Sequence, residues 1–585
     1  MRYAMLLLLL PVLAVAREAL VAPVTPSVRP EPVPVGDAPA AAPHADDWSA
    51  YGRSNKATRF APHDDIRPDN VAALQERWRV ALGAPPAELA DRWAPRTTPL
   101  KIGNDLFLCT ATGEVLALDA ANGTERWRRQ LATAAAVSGD ASCRGVAFHE
   151  SLGADAHGLC RQRLLVSLPD GTLWALDATS GEPCREFGRR GRLQLGTTVP
   201  PTVVRGVAVV ASDDAVIGLS AVSGRELWRW PEQGAKQGAV QAQTVFSADE
   251  ALGLVYVPLL QPAQLVALDV TQGEAAWAFT AVHGDVWGYG LAAQATLLDW
   301  PAADGGRVPA LVLPTVHGEL FVLEREHGEP LVPISARPVP AGYGPAGALP
   351  PAQPHSALPG PRPPLAQEED AWGGSLVEQL WCRIQFRRLS YQGRFTPPTE
   401  QPWLQTAGAL SGVGWGGVSV DQGRGLLVLN YSRLPMRGML RDGVPVREPW
   451  PCLRPPHGGL MAIDIQQGEL AWDRALGRGG LPLPFGWRLP WPAQNGTVNQ
   501  GGVLLTAGGL AFVGATPDNY FRAFDTLTGE ERWRVRLPAG GQATPISYRL
   551  DGRQYVAIVA GGDYQLPGQV AGRAGHYLLV FALPD

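Results

Sequence analysis

Cysteine is scarce: there are six in 585 residues, at positions 109, 143, 160, 184, 382 and 452. None sits in a Cys-x-x-Cys-His pattern, so no c-type haem is attached, and no close Cys/His set has zinc-site spacing. None precedes Cys109, which excludes a lipid-modified N-terminal cysteine. An even number suits an oxidising compartment, and the sequence does not choose among the possible pairings. Long apolar runs are equally rare. The one at Ala4 to Ala16 has thirteen residues, short of the ~20 that span a bilayer as a helix. With Arg2 ahead of it and Ala14-Val15-Ala16 at its end, it reads as an export signal or a short uncleaved anchor. Lys/Arg-rich runs are absent and the net charge is −5, so no nucleic-acid partner is expected.

Glycine and proline are abundant. Gly 67 and Pro 54 together make about a fifth of the chain, against a usual ~12%. Hydrophobic content is an ordinary 45%, enough to bury a large core. That combination means short elements joined by many turns. Residues 17–47 include the Pro/Ala-rich stretch Val21 to Ala42, which reads as an extended tether.

Nineteen Trp are present, and their placement is informative. ALDAANGTERW (117–127) recurs as GLSAVSGRELW (218–228), ALDVTQGEAAW (267–277), AIDIQQGELAW (462–472) and AFDTLTGEERW (523–533), with weaker copies from Ala175 and Val322. Each copy reads as a strand end, a turn and the start of the next strand. Asp or Ser caps the turn, Gly takes positive φ, and Trp re-enters the sheet. WGGVSVDQGRGLLVLN (415–430) supplies strand pattern for one unmarked unit, and LQERWRVALG (74–83) can complete the last sheet. The expected fold is an all-β, eight-bladed β-propeller with Trp-docking repeats. It spans 48–585 as one domain, with a Pro-rich insertion at about 333–366.

These repeats resemble those of the quinoprotein alcohol dehydrogenases, which hold pyrroloquinoline quinone (PQQ) on the propeller axis. More closely, the chain resembles the membrane-bound glucose/quinate/shikimate dehydrogenase group. The stretches that carry the likeness include WSAYGRSNKATRFAP (48–62), SCRGVAFHE (142–150), AWAFTAVHGDVW (276–287), WCRIQFRRLSYQGRFTPPTEQ (381–401) and ATPDNYFRAFD (515–525). The resemblance implies PQQ with Ca²⁺ or Mg²⁺, a sugar or cyclic polyol substrate, and electron transfer to ubiquinone or another membrane acceptor. The cation polarises the quinone while a carboxylate base takes the alcohol proton.

By the same resemblance, Arg144 matches the arginine on a PQQ carboxylate, His149 the histidine over the cofactor plane, and Thr198 a hydroxyl donor. Other positions depart from the pattern. The general base falls on Gly288 in VHGDVWGYG, which leaves Asp285 as a candidate replacement, and the basic partner falls on Val316. The acidic residue facing the cofactor becomes Arg96. The metal-binding Asn aligns with Gln241, the stacking Trp with Gln243, and the shortened metal loop leaves Asp213 and Asp214. Two readings therefore stand. One is an exported PQQ-dependent dehydrogenase with a rebuilt site. The other is a non-catalytic periplasmic propeller that binds a protein partner or serves assembly.

Overall fold

The computed structural model describes residues 44–84, 95–132, 143–151, 159–196, 198–212, 214–231, 242, 244–302, 304–344, 347–407, 411–479, 496–562 and 575–585. The expected export segment (1–16) and most of the tether (17–43) lie outside them. Within them, short antiparallel strands follow one another as meanders. The first sheet is typical: Leu100–Ile102, Asp105–Cys109, Glu114–Asp119 and Glu125–Gln130 pair in chain order. The leading strands of the next sheets are Ala147–Glu150, Thr202–Val204, Ser247–Asp249 and Thr296–Pro301. Then come Ser419–Asp421, Leu504–Thr506 and Ile546–Leu550. The sheet led by Thr296–Pro301 has three strands, whereas that led by Leu504–Thr506 gains Phe60–Ala61 as a parallel fifth. The sheet led by Ile546–Leu550 is completed by Gln75–Ala81 from near the N-terminus, paired with Tyr577–Ala582. Leading strands pack on one another from Ala147–Glu150 round to Ile546–Leu550.

The Gly-x-x-x-Trp spacing has a packing cause as well as a turn cause. It brings four of the five Trp rings onto the turn of the neighbouring sheet: a Cβ on Gly273 (φ +75°) would lie 2.5 Å from the Trp228 ring. The same holds for Gly181 against Trp127, Gly328 against Trp277 and Gly529 against Trp472. Four of the five Trp Nε1 groups also donate to the carbonyl just after the turn's Asp or Glu: Trp127 to Ala178, Trp228 to Val270, Trp277 to Arg325 and Trp472 to Thr526; Trp533 donates to Leu74 O. Trp78 of the N-terminal strand packs on Gly123, so the last sheet docks on the first. Only glycine fits both the left-handed backbone and the close ring.

Two segments leave this pattern. Between Leu320–Glu324 and Ser419–Asp421 the chain forms the Ile334–Pro338/Ala352–Ser356 hairpin, a 12-residue helix α1 (Leu376–Arg387) and the strand Trp403–Gln405. That strand pairs with Met436–Arg441, part of a hairpin inserted after Leu426–Ser432. The extra structure thus runs well beyond 333–366. The disulfides are Cys109–Cys143, Cys160–Cys184 and Cys382–Cys452. The last ties α1 to the second insertion.

Candidate functional site

Residues 48–66 bond to one sheet after another. Trp48 exchanges backbone hydrogen bonds with Lys101, then Asn55, Lys56, Thr58 and Arg59 accept from Ala248, Leu297, Val420 and Leu505 at 2.8–2.9 Å. Ile66 N donates to the side chain of Gln554. This circuit carries Tyr51 and Arg59 to the place where the approaches to the leading strands converge. Tyr51 is buried there with Val199, Val245 and Trp415.

Three arginines face Tyr51: Arg59, Arg144 and Arg96. Burial raises the Tyr51 phenol despite their positive charge, so it remains neutral. Arg59 is fully buried, donates to Ala57 O at 2.9 Å and Gln294 Oε1 at 3.1 Å, and is lowered by burial to about 10. Burial also lowers Arg144. Arg96 lies 5.8 Å from the Trp415 ring. Trp415 Nε1 is buried and has no hydrogen-bond partner among the described residues. Cys143 and Cys109 anchor the arginines: their disulfide joins the strand ends beside them, and Thr97 Oγ1 donates to both Cys109 O and Cys143 O. Concentrated cations, a flat indole and an unsatisfied N–H suit a planar polyanion.

Thr198 is half-buried immediately before Val199 of this cluster. His149 pairs across its sheet with Arg163, which donates to Cys160 O and to Val222 O in the following sheet. Burial first, then Arg163, lowers His149 to about 4. Asp214 is exposed, accepts from Ser212 Oγ at 3.3 Å and lies 3.8 Å from Arg229. Asp213, Gln241 and Gln243 lie outside the described residues. Among the described residues, acidic or His/Cys groups close enough to share an ion are Cys160–Cys184–Glu186 and Glu324–Glu326–His327. Neither includes Asp214 or Asp285.

The loop at 285–289 explains what the Asp285 carboxylate does. Oδ1 accepts from Trp287 N (3.0 Å) and Gly288 N (2.9 Å), and Oδ2 accepts from Tyr289 N (2.7 Å). Its geometry is that of a turn anchor rather than of a base aimed at substrate. Burial is the largest influence on Asp285 and raises it, with the three N–H donors acting the other way. Gly288 has φ +76° and is exposed, and a Cβ built on it meets nothing within 4 Å. Val316 is buried with Trp287, Tyr289 and Phe395. Beside it His317 stacks on Tyr289 at 5.3 Å, wholly buried, with neither ring nitrogen hydrogen-bonded among the described residues. Burial, Arg394 and Arg362 hold it neutral. Arg447, from the second insertion, donates to Val286 O at 2.9 Å and Gln405 Oε1 at 2.7 Å.

Sequence reading missed Tyr51, Arg59, Trp415 and Arg447. The first two lie inside the quoted 48–62 stretch, but only the circuit of that segment brings them to the centre. Arg447 comes from a hairpin that carries no motif.

Comparisons with known proteins agree with this architecture. Residues 48–242, 221–449 and 438–556 match the family described as "PQQ: Glucose/ethanol/alcohol dehydrogenase, beta-propeller domain". The chain is 35% identical to the glycerol dehydrogenase large subunit of Gluconobacter oxydans (strain 621H), over 96% of this chain and 88% of that one. It is 32% identical to the quinoprotein glucose dehydrogenase of Escherichia coli (strain K12), over 94% and 80%. The quinohemoprotein alcohol dehydrogenase from Comamonas testosteroni has the same fold, with TM-score 0.66, 20% identity, and 92% and 80% coverage. A β-propeller whose Trp repeats, threaded N-terminal segment and central arginines lie within these matches belongs to the PQQ-dependent dehydrogenase family.

Proposed function

We propose that the arginine cluster around Tyr51 binds PQQ, and that the chain is an exported dehydrogenase of sugars or cyclic polyols that passes electrons to ubiquinone. The observation that carries this reading is the convergence of Arg59, Arg96 and Arg144 beside the unpartnered Trp415 Nε1. The residues present fit the anionic cofactor: Arg144 and Arg96 would hold its carboxylates, Thr198 would donate a hydroxyl, and Trp415 would offer a flat surface. His149, paired across its sheet with Arg163, would face the cofactor plane. When bound, PQQ supplies a quinone that accepts two electrons from the alcohol carbon. The chain's own part is to orient that quinone, and to exclude water through the buried Trp287–Tyr289–Phe395 packing. The divalent cation would draw on Asp213, Asp214 and Gln241. The substrates named for relatives, glycerol, glucose and quinate, set the substrates to try.

The same reading takes the eight sheets as blades of one closed propeller over 48–585, with 1–16 an export signal or short anchor and 17–47 a tether. The sheet-to-sheet Trp–Gly contacts and the Trp78–Gly123 contact support it.

A second reading, a propeller that keeps the cofactor scaffold but has lost turnover and serves a protein partner, is favoured by Gly288 and Val316. Loss of a general base costs about 10²–10⁴ in rate. A titration with PQQ, with and without Ca²⁺, followed by Trp fluorescence, tests the first reading. Saturable micromolar binding that is lost in Arg144→Ala is expected. An unchanged signal at every PQQ concentration would overturn it. A dye-linked assay with glucose, glycerol and quinate then separates turnover from binding alone.

A further inference from the structure

Helix α1, the sole α-helix among the described residues, carries an apolar stripe on its outer side. Leu376 is 84% exposed, Val377 69%, Leu380 60% and Ile384 43%. Leu376, Leu380 and Ile384 follow at four-residue steps, with Val377 beside them, so all four share one face. Four large apolar side chains held in water together need a reason, whereas one alone would not.

The opposite face is fixed. Glu378 and Cys382 are buried, and Cys382 is bonded to Cys452. Ala371, Leu404 and Trp450 pack around that bridge. Ser375 caps the helix by accepting from Glu378 N at 3.2 Å. The stripe therefore does not face outward because the helix is loose. It is displayed on a stapled platform.

The charges that the helix itself leaves accessible have one sign. Its single acid, Glu378, is buried, while Arg383 and Arg387 within it and Arg388 just after it flank the stripe, in a chain of net charge −5. Arg387 is paired with both carboxylate oxygens of Glu368, at 2.8 and 2.9 Å, and Glu369 and Asp370 stand in the same turn beside the helix. The stripe exposes on the order of 400 Å², about half of the ~800 Å² per partner that a stable protein interface buries. An apolar strip bordered by arginines is the pattern of a helix lying in a membrane interface, its aliphatic groups among acyl chains and its guanidinium groups at anionic headgroups. The chain also has the means to be there: residues 17–43 are enough chain to reach roughly 90 Å at ~3.3 Å each and lead back to the apolar run Ala4 to Ala16.

We propose that α1 is a membrane-docking element that seats the propeller on an anionic bilayer surface through Leu376, Val377, Leu380 and Ile384. Docking fixes which side of the propeller faces the lipid, something a tether alone cannot do. This inference does not depend on PQQ binding.

The test uses the full chain with Val377→Cys carrying an environment-sensitive fluorophore; the described native cysteines are all in disulfides. Vesicles of phosphatidylglycerol and phosphatidylcholine (3:7) should shift its emission to the blue, and lipid-borne quenchers should quench it. Vesicles of phosphatidylcholine alone should do so about tenfold more weakly. Adding Leu376→Gln, Leu380→Gln and Ile384→Gln together should abolish the shift without changing the circular dichroism spectrum. If the chain floats with vesicles while the fluorophore stays in water, the terminal segment alone holds it and the proposal fails. A blue shift that needs no vesicles and grows with protein concentration would show a protein contact instead, and would equally overturn it.

Discussion

Gly288→Asp asks whether a single missing carboxylate separates this chain from ordinary turnover. Sterically the substitution is open, because a Cβ at 288 meets nothing within 4 Å. Its cost is conformational: φ +76° lies in the left-handed region, worth about 1–2 kcal/mol for an L-residue, with Asp among the better tolerated. The introduced carboxylate would stand near Asp285, which accepts the N–H of residue 288 at 2.9 Å. Like charges raise the affinity of one of the pair for a proton, and that brings a base closer to neutral pH. Arg447, bonded to Val286 O, offsets part of the repulsion. Expected results are a loss of about 1–2 kcal/mol in urea unfolding and a gain of about 10²–10⁴ in turnover, or roughly 3–5 kcal/mol off the barrier. The assay is dye reduction with PQQ and Ca²⁺ on glucose, glycerol and quinate. If the variant folds, binds PQQ as the wild type does, and turns over no faster on any of them, the missing base is not the limit and the reasoning is refuted.

Asp285→Ala should cost about 2–4 kcal/mol of stability, since three backbone N–H groups in a buried loop lose a charged acceptor; urea denaturation checks it, and a change below about 0.5 kcal/mol, the noise of exposed sites, would contradict the anchor role. Trp228→Phe removes the 2.7 Å bond to Val270 O and should cost about 1–2 kcal/mol, whereas Gly273→Ala, facing the same ring, should cost more because both backbone and contact oppose it. Calorimetry of the two variants gives the order. His457 is held by burial at about 4. Its folded value lies below the unfolded ~6.5, so its contribution is complete above about pH 6.5 and is lost as pH falls toward about 4. The size is about 3 kcal/mol, and His457→Gln should flatten the stability–pH curve across that window; an unchanged slope would refute the assignment.

Local pattern was enough for much of the fold. The Asp-x-x-x-Gly-x-x-x-Trp phrase announced a strand end, a turn and a re-entering strand, because turn chemistry and alternation act over a few residues. The repeat also announced a propeller, since small sheets that cannot bury their faces alone must stack. The departures that the resemblance places at Gly288, Val316 and Arg96 rest on the motifs that flank those positions. Other features depended on contacts between distant residues. The pairing of Cys109 with Cys143, Cys160 with Cys184 and Cys382 with Cys452 follows from which strands become neighbours. Tyr51 and Arg59 meet the other arginines only because residues 48–66 bond to one sheet after another. Asp285 looked like a spare carboxylate, and only the folded loop shows its oxygens taken by three N–H groups. The outer stripe of α1 likewise became visible only when burial of Glu378 and Cys382 set which face the helix turns inward. Periodicity records which residues can share a face, but the partner that covers that face, or leaves it bare, comes from elsewhere in the chain.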